Sequence, residues 1–360
     1  MSDRRYGLLT SKTAARRFRC FKTAAEAHIA LKFFQAVAGD EKAGAWCRAE
    51  GFSVQKGEVT NLNTAGGFVV PSELSAAIIN LRDTVGIARQ TCNVVEMNSD
   101  TLNIPRRSSG LSANWTGEAV AITESNMAWD SVGLTTKKLG VLVRSSSELV
   151  EDALGLVDQL ASELAYELAA GEDAAWLNGD STSAYAGITG VVNGINDGTH
   201  TASAINAAAG HSALTSIDST DLGTVFGALP SYAFANAAWF AHPIVHGALF
   251  CRLAGSNGGI GSRMVNGVVR PTFWNLPIFL SAKMPSATSN LNNAVVCLVG
   301  DMSQAVSLGS RREVTIRVSA GRLFDTDQLL WRGTERVDIV ANGLGSNSAP
   351  GSVIALLGKS

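Results

Sequence analysis

His242 and His246 stand four residues apart, the spacing that sets two imidazoles on one helix face where they can share a zinc ion. Zinc hydrolysis also needs a glutamate beside the first histidine as general base, and Pro243 occupies that place. The pair reads as packing or the start of a surface helix. Gly358-Lys-Ser360 has the tail of a phosphate-cradling loop, but the position where that loop requires its first glycine is Val353. Gly255-Ser-Asn-Gly-Gly-Ile-Gly261 follows no strand of a dinucleotide-binding unit and reads as a mobile loop. No Gly-x-Ser-x-Gly nucleophile motif occurs. Glu151, Asp152, Asp158, Glu163 and Glu167 line one side of a helical pattern, where a solvated face explains them better than a catalytic carboxylate pair. The five cysteines, Cys20, Cys47, Cys92, Cys251 and Cys297, are far apart and support neither a disulfide framework nor a zinc ribbon. The residues point away from an enzyme, and to no metal and no cofactor.

The elements that would carry side chains are legible by period. A helix is expected over about 24–49, with Leu31, Phe34 and Ala38 on one face and Phe33 and Val37 alongside. Another helix is expected after Pro71, with Ser72 as its N-cap. The longest pattern begins at Ser145-Ser-Ser-Glu148, which has capping-box spacing, and continues through Leu149, Leu156, Leu160, Leu164 and Leu168. Gly171 is a candidate kink in it, and Asn178-Gly179 a stop. A further helix is expected from Asp221 to Phe234. Alternation marks strands from Asn93 to Arg107 and from Val132 to Val143, and short apolar runs mark more of them from Pro277 to Leu357. Between the first two strands lies a long polar stretch carrying Trp115 and Trp129. That much irregular chain implies a projecting arm rather than a tight hairpin.

Charge is sparse and unevenly placed. Charged residues make up 17% of the chain and hydrophobic ones 46%, which fits either a large core or a surface covered by other subunits. The net charge of −2 excludes a chain held as a whole on nucleic acid by phosphate contacts. The first segment is nonetheless basic, through Arg4, Arg5, Lys12, Arg16, Arg17, Arg19 and Lys22 against Asp3. No Lys or Arg occurs between Ser145 and Asp180. No apolar run is long enough to cross a membrane as a helix.

Several segments in order resemble the major capsid protein family of tailed double-stranded DNA phages, of the Hong Kong 97 type. They are Gly66-Gly-Phe-Val-Val-Pro71 before a helix, Lys137-Lys138 leading into Val143-Arg-Ser-Ser-Ser-Glu-Leu149, and Glu172-Asp-Ala-Ala-Trp-Leu-Asn-Gly179. Gly187-Ile-Thr-Gly190, Ala238-Trp-Phe-Ala-His-Pro243, Trp274-Asn-Leu-Pro-Ile278, Gly300-Asp301 and Arg336-Val-Asp338 follow. No single piece is specific; their order over roughly 60–345 carries the likeness.

The resemblance implies an α+β capsid fold. An N-terminal arm would be 1–65, and a peripheral domain with a long spine helix 66–95, 141–179 and 326–348. An extended β-hairpin loop would be 96–140, and an axial domain 180–325 and 349–360. It implies a virion protein, assembled in the host cytoplasm, that self-associates into homo-pentamers and homo-hexamers around double-stranded DNA. Portal, scaffolding and decoration proteins would be its other partners, with no membrane. An encapsulin-type compartment or a gene-transfer-agent capsid is the alternative within the fold, and a soluble hydrolase the alternative outside it. Trp115 and Trp129 are expected as inter-subunit anchors, with Arg106, Arg107 and Glu118 at the rim. Arg16, Arg17, Arg19, Glu151 and Asp158 are expected to face the lumen or the DNA. Some members of the family weld their shells through an isopeptide between a loop lysine and a neighbour's asparagine. From Arg106 to Asp130 there is no lysine, and Lys137 and Lys138 lie at the loop's base, which speaks against such a bond here.

Overall fold

Ala27, Ala30, Phe33, Phe34 and Val37 recur at three- and four-residue steps, and that stripe is the buried side of the helix Ala24–Ala38. Phe33 therefore belongs to the core itself, while Leu31 is only partly covered. The structure is a computed structural model that describes residues 20–21, 23–38, 40–52, 68–69, 72–109, 111, 113–118, 121, 123–146, 154–257, 260–319 and 328–360. The chain divides into two compact units. One comprises Met1–Gln90, Lys138–Asp173 and Arg312–Val337, and the other Thr91–Lys137, Ala174–Arg311 and Asp338–Ser360. The fold is α+β. Among the described residues no helix is long and apolar enough to cross a membrane.

In the first unit, strands Lys137–Ser146, Gln328–Ala341, Val306–Ser319 and Phe68–Val69 lie side by side in that order. Alternation decides their faces. Val314, Ile316 and Val318 point inward, as do Leu329, Trp331 and Glu335, and helices cover that side. Trp331 packs against Phe34 with ring centroids 4.2 Å apart. Its indole N–H donates to the Ser145 hydroxyl at 2.8 Å. Ser145 is thus a strand residue and not a helix cap, because pairing with the Gln328–Ala341 strand claims its backbone. Glu148 lies outside the described residues. The long helix is described from Leu154 to Asn178 and continues unbroken through Gly171, where an added Cβ would come within 3.1 Å of Leu139. Gly333 answers the same need: a Cβ there would sit 2.7 Å from Leu164. Both glycines let helix and strand approach.

The acidic side of that helix is only partly solvated. Glu163 and Glu167 are exposed. Asp158 is buried, and its carboxylate accepts the Cys20 amide at 2.9 Å and the Phe21 amide at 3.2 Å. Asp158, expected to face the lumen, is instead a docking point for the chain's own N-terminal segment through the backbone amides of Cys20 and Phe21. Asp173 accepts the Ile87 and Ala88 amides that open the short helix Ile87–Thr91. Glu172 holds Arg89 through two bonds of 2.6 and 2.8 Å. Arg16, Arg17, Arg19 and Glu151 lie outside the described residues.

The second unit is built on a seven-stranded sheet in the order Ala204–Asn206, Val353–Leu357, Val295–Gly300, Ala238–Ala241, Leu276–Leu280, Val268–Phe273, Ile260–Val265. The central strands Val295–Gly300, Val353–Leu357 and Ala238–Ala241 are buried at every residue, hence their unbroken apolar runs. Trp239, Phe250 and Phe273 pack edge to face around them. Two expectations are corrected. Pro230 ends the helix Ser219–Ala228, and Ser231–Asn236 is a separate 3-10 segment. The glycine-rich run after Gly255 leads not into open loop but into the hairpin Ile260–Phe273. Its turn, Asn266-Gly267, has both residues at positive φ, 51° and 76°.

Charge is buried deepest where Arg82 meets Glu335 at 2.6 Å, both side chains almost fully covered. Burial and then the Glu172 carboxylate push the Glu335 carboxyl up to about 7, against the pull of Arg82 and Arg89. A carboxyl raised in the folded state gives stability at low pH that is lost as pH climbs from about 4.5 to about 7. Arg82→Met removes the nearest counter-charge. We expect it to cost about 3–5 kcal/mol in urea unfolding above neutral pH. The cost should be clearly smaller at pH near 5, where Glu335 takes up a proton. Equal losses at both pH values would show that Glu335 is not the group left unpaired.

Candidate assembly surface

Strands Thr101–Ser109 and Ala128–Thr135 pair antiparallel from Thr101↔Thr135 out to Ser109↔Ala128, with a register irregularity after Arg107. Their base is held firmly. Leu134 is fully buried. The buried carboxylate of Asp338 accepts the Thr135 amide at 2.6 Å and the Lys137 ammonium at 2.8 Å. Asp100 pairs with Arg311 and accepts the Thr136 hydroxyl at 3.1 Å. Lys137, one of the two lysines at the loop's base, is therefore engaged by its own chain.

Toward the tip the support disappears. Arg106 reaches across the pair to Asp130 at 2.7 Å and to the Asn342 carbonyl at 3.0 Å. Bonds from the Arg106 side chain and from the Ser131 amide hold the Asp130 carboxyl below the usual carboxylate range. Both partners are exposed, so this pair orders the strands more than it stabilises them. Arg107 stands opposite Trp129 in the register. Glu118 is exposed. Trp115 is 104% exposed and Trp129 61%, so neither indole folds back on the loop's base. Leu111 and Met127 are exposed beside them in sequence. Sequence reasoning found the two tryptophans but passed over these, although an apolar residue two positions before Trp129 was a readable signal.

The two histidines have different partners. The His242 ring accepts the Ile244 amide at 3.1 Å as an N-cap, while His246 stacks toward Phe250 at 6.3 Å between centroids. A different trio, His211, Asp218 and Asp221, does bring three donor atoms together. Its carboxylates are already used. Asp218 caps the helix Ser219–Ala228, and Asp221 accepts the Asp218 amide, the Ala208 amide and the His211 ring. Burial raises the Asp221 carboxyl, but those bonds outweigh it and hold it below its ordinary range.

Known proteins place this geometry. A curated major capsid protein of Klebsiella oxytoca phage phiKO2 is 27% identical over 120 residues, a stretch that covers 33% of this chain and 28% of that relative's length. Among solved structures, the capsid of a native GTA particle superposes with a TM-score of 0.55 at 15% identity, covering 87% of this chain and 98% of that one. The structure from Gordonia phage Cozz gives 0.52 at 15% identity over 88% and 94% of the two chains. The holo-SrpI encapsulin complex of Synechococcus elongatus gives 0.50 at 13% identity over 87% and 94%. These likenesses establish the fold. The model of the phage capsid family matches residues 66–341, and the chain belongs to that family.

Proposed function

We propose that the chain is the major capsid protein of a phage head, self-assembling into pentamers and hexamers of an icosahedral shell around double-stranded DNA. The observation that carries this reading is the paired arm of Thr101–Thr135, whose base is locked and whose tip presents Trp115, Trp129, Leu111 and Met127 to water. A large indole left in water forfeits roughly 1.5–3 kcal/mol of burial, so a partner surface is the economical explanation. In a shell that partner is the next subunit, with Arg106, Arg107 and Glu118 as polar rim. Portal, scaffolding and decoration proteins are the further partners this reading expects, and the virion its location. Arg16, Arg17 and Arg19 would meet the packaged DNA or an acidic wall, with Glu151 on the lumen side. The likeness to GTA and encapsulin shells supports a second reading, a closed shell with a different cargo. Nuclease treatment and extraction of purified particles distinguishes the two: phage-genome DNA supports the first, and enclosed protein the second.

Trp115→Ala should leave the subunit folded while lowering shell yield or the shell's melting temperature, at a cost of about 2 kcal/mol or more per anchored tryptophan. Shells of the variant that form and melt like the parent's would remove Trp115 as an anchor. With no lysine between Arg106 and Asp130, and with Lys137 paired to Asp338, shells should be held by noncovalent contacts. Boiled shells on a denaturing gel should give one band at the mass of a single chain. A ladder of higher bands carrying an isopeptide by mass spectrometry would refute this.

A further inference from the structure

The outward face of the first unit's sheet carries a cluster of cations that shell assembly through the arm does not use. Lys138 on one strand, Arg332 and Arg336 on the next, and Arg312 and Arg317 on the third line an open polar depression of about 260 Å³. The Thr315 and Thr334 hydroxyls complete the lining, which includes no carboxylate among the residues whose side chains are described. Lys138, Arg312 and Arg332 are exposed, and Arg317 and Arg336 half-buried. Several other cations of the chain are paired: Arg82, Arg89, Arg106, Arg311 and Lys137 each meet a carboxylate. Here Arg312 bonds only to the Thr334 hydroxyl, at 3.3 Å, and Lys138, Arg317 and Arg332 meet no acidic group among the described residues. Like charges on neighbouring strands destabilise a sheet, so a cluster of this kind is expected where an anion covers it.

We propose that this face is a phosphate-binding surface whose ligand is the backbone of nucleic acid or a free phosphate anion. Four of the five cations are arginines, whose forked N–H groups match tetrahedral oxyanions in pairs, and threonine hydroxyls donate at the same depth. The scale fits a polymer. Three strands span about 10 Å and the step from Arg332 to Arg336 about 13 Å. Each strand of duplex DNA carries about one charge per 3.4 Å, so a 13 Å segment presents about four phosphates on one strand, comparable to the number of cations here. A carboxylate-rich peptide offers single planar charges at less regular intervals and fits less well. The choice of polymer rests on the capsid reading; the anion site itself does not.

The test uses the full-length chain and its Arg317→Gln/Arg332→Gln and Arg317→Lys/Arg332→Lys variants, each first shown to melt like the parent. A labelled DNA duplex is titrated by anisotropy over a series of salt concentrations, and inorganic pyrophosphate by calorimetry. Poly-glutamate serves as competitor. For the glutamine pair, the slope of log affinity against log salt should fall by about two, roughly 0.9 for each phosphate no longer neutralised. The lysine pair, which keeps the charge, should hold the slope. Pyrophosphate binding that the glutamine pair abolishes, with duplex binding unchanged, supports the site with a free anion as its source. If both pairs bind both phosphates like the parent, or if only poly-glutamate occupies the face, the proposal is overturned. Arg16→Gln/Arg17→Gln/Arg19→Gln, run in parallel, separates the two readings. Loss of duplex binding there alone retains DNA as a partner and overturns this face as its site.

Discussion

Two arginines and two glutamates buried together set the terms for the first unit. Arg82 and Arg89 come from the helices Ser72–Val85 and Ile87–Thr91, Glu172 from the long helix, and Glu335 from the Gln328–Ala341 strand. Charges this far from water are tolerated only in company, since stripping hydration from any one of them costs several kcal/mol. The four must therefore be assembled at once, which ties helices and a strand to one geometry. One oxygen of Glu335 still lacks a hydrogen-bond partner among the described residues, consistent with a carboxyl that keeps its proton up to about pH 7. The cluster also fixes register. With Glu335 inward, Leu329 and Trp331 are inward and Arg332 and Arg336 outward. A slip of one residue would bury the arginines and expose Trp331, so the apolar core and the basic face stand or fall together.

The second unit divides its labour along the arm. Asp338 and Leu134 make the base rigid, and Asp100 with Arg311 repeats the fastening on the other edge. Beyond Arg106 and Asp130, Leu111, Trp115, Met127 and Trp129 are left exposed. Rigid base and bare tip are complementary properties. An arm that pivoted would lose much of its binding energy to ordering, whereas a pre-set pair of strands brings Trp129 to a partner with little left to order.

How much of this was readable beforehand depended on whether the deciding forces were local. The arm, the long helix and the buried central strands announce themselves by period, because burial on one face or on both leaves a direct trace in residue order. Trp115 and Trp129 were visible for a related reason, as large apolar groups in a polar stretch. Ser145-Ser-Ser-Glu148 misled because capping spacing is local, while its strand is held by Trp331, far along the chain. Asp158 misled in the same way: its helix position predicts solvent, and its partners lie at Cys20 and Phe21. The Ile260–Phe273 hairpin was missed although Asn266-Gly267 is a strong turn signal, since Pro271 and the glycines before it obscured the alternation. The basic face could not be seen at all. Its five cations come from three strands, and only the sheet brings them together.

The two proposed surfaces obey different physics. The arm's tip is apolar, and the ion pair beside it is exposed and screened, so salt should leave its contacts intact or strengthen them by making apolar surface costlier to hydrate. The basic face works by releasing counterions from phosphate, so salt should weaken it steeply. On these two proposals, the chain would separate holding a shell from holding what is inside it. The sparse charge of the sequence then has a rationale beyond core size. Charge is withheld from the contacts that must persist across ionic conditions, and gathered where an interaction has to remain reversible.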